Sequence, residues 1–180
     1  ITNICRQIRK GLFLEERMIV FLQLLEFVYE DREVTSQEQK IIDIVARTFS
    51  IPENEYNNSC SFMLGDNMDR VDPGSIMLIE GPGDEKKFSA SFGNRDKWHR
   101  LEVKGLKGSI FVLHIESIHI LLFTYHGEEE LFFKGRPVMS GRPYLLDQGV
   151  SIKGKDTDPI YYSGILREFL RSSYSDKIIF

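Results

Sequence analysis

The sequence predicts an α+β fold: an N-terminal helical bundle followed by an antiparallel β-sandwich-like domain. Three observations carry that prediction. Apolar residues keep a helical period through the first third of the chain, and after Gly65 the pattern turns to short β-prone runs broken by turn signals. The charge divides at the same place. Residues 1–68 hold 7 Lys/Arg against 11 Asp/Glu, while residues 69–180 hold 16 against 16, so the net charge of −4 belongs to the helical part.

Taken in order, a short helix begins near Ile4 and ends at Gly11. Residues 14–30 form a second helix, with Met18, Ile19, Leu22, Leu25 and Val28 at helical spacing and Val20, Phe21, Leu24 and Phe27 widening the stripe. A helix apolar over most of its circumference is normally central in a bundle. Thr35-Ser-Gln-Glu38 is a capping box: the threonine hydroxyl can accept from the Glu38 N–H while the glutamate returns to the cap. The helix it opens is expected to bury Ile41, Ile42, Ile44, Val45 and Phe49. Pro52 suits the first turn of a fourth helix, which presents Tyr56, Cys60 and Met63.

Asp72-Pro73-Gly74 then signals a turn, and β-prone runs follow at 76–79, 88–92, 101–103, 110–115, 118–125, 131–133, 144–146 and 160–162. Lys134-Gly135 reads as a tight hairpin, the glycine supplying a positive φ. Many short strands with turns indicate a sandwich or small barrel. Residues 164–173 form a short helix, and Ile178-Ile-Phe180 reads as the start of a further strand. The expected organisation is a helical unit over 1–66, a β-rich domain over 67–165 and a linker over 166–180.

Composition excludes several classes. Apolar residues at 42% and charged residues at 28% are ordinary for a globular chain. No apolar run reaches the ~20 residues that span a bilayer, because Glu15, Glu16, Arg17, Gln23 and Glu26 interrupt the most hydrophobic stretch. Binding of nucleic acid by the whole chain is disfavoured, since phosphate neutralisation needs a cationic surface. Cys5 and Cys60 are too few for a disulfide framework and read as thiols in a reducing, cytoplasmic compartment. Ile1 in place of methionine reads as the start of a piece of a longer protein.

Two constellations could carry chemistry. Glu26, Glu30, Asp31, Glu33 and Glu38 cluster around one helix-to-helix connection; a metal site there would use Asp31, Glu33 and Glu38, against the plainer reading of a solvated turn with a capping glutamate. Between Lys86 and Lys107 lie seven basic residues against two acids, with aromatic residues among them. A phosphorylated or anionic partner would be met by Lys86, Lys87, Arg95, Lys97, Trp98 and Arg100; the plainer reading is an edge strand guarded by lysines. Gly81-Pro-Gly-Asp-Glu-Lys-Lys87 fails as a phosphate loop, because no glycine precedes the lysine and acids crowd it. His99, His114, His119 and His126 lack companion ligands at metal spacing and read as core or edge histidines. No nucleophile motif is present, so the chain by itself calls for no enzymatic activity, cofactor or catalytic residue.

The stretch from Ile4 through the apolar helix, the acidic connection D-R-E-V-T-S-Q-E (31–38) and the second amphipathic helix to Tyr56 resembles the TerB-like, tellurite-resistance helical family. Asp31, Glu33, Thr35 and Glu38 fall on the family's acidic pattern, with Arg32 where the family has glycine. Gly108-Ser-Ile-Phe-Val-Leu-His-Ile115, Tyr125-His-Gly-Glu-Glu-Glu-Leu131 and Pro159-Ile-Tyr-Tyr-Ser163 resemble the β-rich segment that follows TerB-like helices in large bacterial ABC transporter ATP-binding proteins. Leu131-Phe-Phe-Lys-Gly135 and Gly149-Val-Ser-Ile152 look like the end of a forkhead-associated (FHA-like) sandwich; the phosphothreonine-reading loops of that family have no counterpart here.

The resemblance implies an accessory region of an ATP-driven transporter at the cytoplasmic face of the inner membrane. Its partners would be the parent's ATPase and transmembrane domains, and ATP and Mg would bind in the ATPase domain, outside this chain. Two other readings stand beside it, a binding module for a phosphorylated or anionic partner and an acidic metal-sensing module.

Overall fold

The computed structural model describes residues 2–30, 34–65, 68–82 and 97–175. The chain is α+β, with helices followed by two sheets, and divides into two compact units, Ile1–Val71 and Asp72–Phe180.

The first unit holds helices α1 (Thr2–Gly11), α2 (Leu14–Val28), α3 (Ser36–Phe49) and α4 (Glu53–Leu64), closed by a 3₁₀ turn at Met68–Arg70. Helix α3 packs against α1 and α2, and α4 against α2. The buried side chains follow the helical stripe of the sequence: Met18, Phe21, Leu22 and Leu25 on α2, and Ile42, Val45 and Phe49 on α3. Each large apolar side chain removed from water contributes roughly 1.5–3 kcal/mol. Ile44 departs from its expected place, being 37% exposed. Pro52 stands at the N-cap, one residue before α4. Because Met68 and Val71 are buried, the helical unit continues past the boundary expected at residue 66.

The second unit contains β1 (Ile76–Glu80), β2 (His99–Glu102), β3 (Ser109–Ile115), β4 (Ile120–His126), β5 (Leu131–Phe133), β6 (Arg136–Pro137), β7 (Pro143–Leu146), β8 (Ser151–Gly154) and β9 (Ile160–Tyr161), then helix α5 (Tyr162–Ser175). One sheet runs β2-β1-β3-β4-β7 and the other β6-β5-β8-β9. All seven residues of β3 are buried, as expected of a continuous apolar run at the centre of a sheet. Residues from both sheets, among them Val112, Phe123, Phe133 and Ile152, belong to one apolar core.

Three features of this unit differ from the sequence reading. The pairs are antiparallel except β1–β2, which is parallel; residues 81–98 separate the two strands in sequence, a length sufficient for the connection a parallel pair needs. Strand β8 escaped the sequence because it is short and half polar. Residues 166–175 are not a linker within the described part: α5 inserts Ile165 and Phe169 into the core. The expected strands at 88–92 and 178–180 lie outside the described residues.

The Lys134-Gly135 hairpin forms as expected, with φ of 52° and 74° joining β5 to β6. Two positive φ values in succession are the mark of the hairpin turn that matches strand twist.

Candidate functional site

Of the acidic turn, Asp31 and Glu33 lie outside the described residues. Glu38 is held by the cap. Its Oε2 accepts from the Thr35 N–H at 2.9 Å and from Thr35 Oγ1 at 2.7 Å, while the Glu38 N–H points to Thr35 Oγ1 at 3.2 Å. These bonds to the charged form, the hydroxyl's first and the backbone's second, draw the Glu38 carboxyl below its ordinary pKa. The cap accounts for Glu38 without a cation. Among the described residues, no group of three or more His, Cys, Asp or Glu side chains is placed to hold a metal ion.

The basic patch is divided by the fold. Lys86, Lys87 and Arg95 lie outside the described residues. Lys97 and Arg100 are exposed at the start of β2, but Trp98 between them is 6% exposed and meets the Phe111 ring edge-on at 6.1 Å. The expected partner-binding indole is therefore a packing residue, buried just before β2 begins.

Three of the four histidines come together beside α5, while His126 meets the Phe111 ring edge-on at 5.3 Å. His114 on β3 stacks on His119 with ring centroids 6.0 Å apart and lies 5.0 Å from Phe169, which also meets the His99 ring at 4.8 Å. The His114 Nε2 atom is buried without a hydrogen-bond partner. Burial first, and the neighbouring His119 second, push the His114 pKa below its ordinary value. His119, immediately before β4, takes a left-handed conformation, φ 52°, and its carbonyl accepts from the Tyr162 hydroxyl.

Sequence reasoning did not find the most connected polar cluster of the helical unit. Tyr56 Oη donates to Asp43 Oδ1 at 2.6 Å, and the Gln39 amide reaches Asp43 Oδ1 at 3.0 Å and Tyr56 Oη at 2.9 Å. The Cys60 sulfur shares hydrogen bonds with the Tyr29 and Tyr56 hydroxyls. The signal was available: Gln39 and Asp43 stand four apart on α3, as do Tyr56 and Cys60 on α4, and side chains four apart share a helix face. Gln39, Asp43 and Tyr56 border an open groove of about 560 Å³ that Arg47 and Glu53 also line.

The electrostatics of this cluster oppose nucleophilic chemistry. The Tyr56 and Gln39 bonds hold the Asp43 carboxyl below its ordinary pKa, whereas burial raises the Cys60 thiol and both tyrosine hydroxyls. A reactive cysteine needs the reverse shift.

The β unit has a larger groove, about 690 Å³, beside α5. Val150, Tyr161, Leu166 and Leu170 give it an apolar wall, and Arg167 and Arg171 a basic rim. Both arginines lie against Glu168, at 4.0 and 3.2 Å. No helix among the described residues is long and apolar enough to cross a membrane.

The chain matches no family model, no curated protein and no solved structure.

Proposed function

We propose that this chain is a non-catalytic accessory region of an ABC-type ATP-binding protein, working at the cytoplasmic face of a membrane. The observation that carries the proposal is the order of its two units. A four-helix unit comes first and a two-sheet unit second, the succession that the resemblance to the transporter proteins implies.

The resembling stretches fall on the framework of the β unit, which also supports the reading. Gly108 and the seven residues of β3 form one, the β4–β5 turn another, and the β9–α5 junction the third. A region of this kind would act through its surfaces, transmitting or receiving movement of the ATPase and transmembrane domains.

The test is the reading frame beyond the codon for Phe180. A G-x-x-x-x-G-K-[ST] loop within a few tens of residues supports the proposal, and its absence there overturns it. Calorimetry provides a second check: the 180-residue chain should take up no ATP in the micromolar range.

A further inference from the structure

Helix α2 buries one face and leaves another open. Phe13 at its N-cap is 83% exposed, Val20 38% and Phe27 76%, the two phenylalanines being the most exposed large apolar side chains described. Seven-residue spacing puts the three on one line, drifting only ~20° per step along a straight helix. The line is about 21 Å long at 1.5 Å per residue. Apolar rings aligned at this exposure mark a contact surface.

We infer that this face pairs with the same face of a second copy of the chain, α2 against α2 in antiparallel sense, with the two-fold axis at Val20. The stripe is complementary to itself in that sense. Phe13 and Phe27 stand equally far from Val20 on either side, so each Phe13 meets the partner's Phe27, and Val20 meets its own copy.

The flanks agree with this orientation. On one side Glu16, four residues before the axis, falls near the partner's Gln23, three residues after it; on the other side Arg17 falls near the partner's Leu24. No like charges are opposed. A parallel pair would rely instead on Glu16 meeting the partner's Arg17. That guanidinium is already committed, donating to the Phe49 and Phe13 carbonyls, and a parallel pair would also align the helix dipoles unfavourably.

The area suits a reversible dimer. A phenylalanine buries roughly 150–250 Å², so the two rings leave about 300 Å² open per copy. With Val20, Leu24 and the flanking stems, two copies cover about 1,000 Å², the lower end for specific association.

Two measurements on the full 180-residue chain test the inference. Light scattering across rising micromolar concentrations should move from the monomer mass of 20.9 kDa towards twice that value, and Phe13→Glu with Phe27→Glu should hold it at the monomer mass. Circular dichroism keeps the result interpretable, because both positions are exposed and the variant should retain its helix content.

Cross-linking then fixes the geometry. With Cys5 and Cys60 changed to serine, Val20→Cys should form a covalent dimer on mild oxidation. Phe13→Cys alone should not, but a mixture of Phe13→Cys and Phe27→Cys chains should. A chain monomeric at every concentration, a dimer unaffected by the double glutamate variant, or efficient cross-linking of Phe13→Cys to itself would overturn the inference. So would burial of Phe13 and Phe27 by a different protein alone.

Discussion

The Tyr125 side chain occupies the space that a Cβ on Gly127 would need. A methyl group there would lie 2.2 Å from the tyrosine oxygen and 2.5 Å from its ring carbon Cζ. The hydroxyl is fixed in place by donating to the Lys107 carbonyl at 2.8 Å, and Gly108 passes under the same ring with φ 102°. The glycines and the tyrosine of two resembling stretches thus form one packing unit at the end of β3 and β4. Gly127→Ala should destabilise the β unit by about 1–3 kcal/mol, the usual cost of overpacking. Gly135→Ala is the control. It has φ 74° but open space around the added methyl, so only backbone strain of about 1 kcal/mol applies. Denaturation followed by fluorescence of Trp98, the sole tryptophan, reads the β unit directly, and equal losses for the two variants would refute the packing argument.

Thr35→Ala should weaken the helical unit by about 0.5–2 kcal/mol, because the hydroxyl caps α3 and holds Glu38. Glu38 has a depressed pKa in the fold, so its contribution is complete above the ordinary glutamate range and is lost as pH falls through it. Thermal melts with and without millimolar magnesium should superimpose for both proteins. A rise in melting temperature on adding magnesium, absent from Asp31→Asn, would instead establish the acidic turn as a metal site.

Removing the Tyr56 hydroxyl should be felt at Asp43. In Tyr56→Phe the carboxylate loses its shortest donor, at 2.6 Å, and its pKa should return towards the ordinary aspartate value. Carbon-detected NMR titration of the side chain measures this. The loss of one hydrogen bond to a charged acceptor should cost about 1.5–3 kcal/mol at low exposure, less here because the groove is open to water. The sign with pH follows from the depressed pKa: the network stabilises above the aspartate range and the benefit disappears as the carboxyl protonates.

His114 should make the β unit acid-sensitive. Its folded pKa is lowered, so the unfolded chain binds a proton first, and stability falls as pH drops below about 6.5. The facing groups are His119 and His99, which add to the penalty, and Glu116, which opposes it; Phe169 of α5 offers the imidazolium no acceptor. Melting temperatures measured from pH 7.5 to 5.5 should decline for the native chain and decline less for His114→Leu. Parallel slopes for the two proteins would rule out His114 as the source.

Much of the fold was legible because local chemistry and tertiary demand agree in it. The Thr35 cap, the apolar run of β3 and the Lys134-Gly135 hairpin each depend on residues close in sequence and appear where the sequence puts them, as do the α2 and α3 stripes apart from the exposed Val20, Phe27 and Ile44. Strand β8 has no such signal; its pairing with β5 and β9 supplies the backbone partners that make it a strand. The candidate site was less legible. Glu38 stood out as one acid among several, but its place in the cap follows from the T-S-Q-E spacing alone.

Sequence by itself determined the succession of a helical unit and a β unit, since hydrophobic period and turn chemistry are properties of neighbours along the chain. Tertiary structure decided which side chains meet across that chain. It separated Trp98 from Lys97 and Arg100, joined Asp43 to Tyr56, closed Phe169 between His99 and His114, and left Phe13 and Phe27 in water. Burial and pairing over long separations depend on how elements pack, and no local spacing encodes that packing.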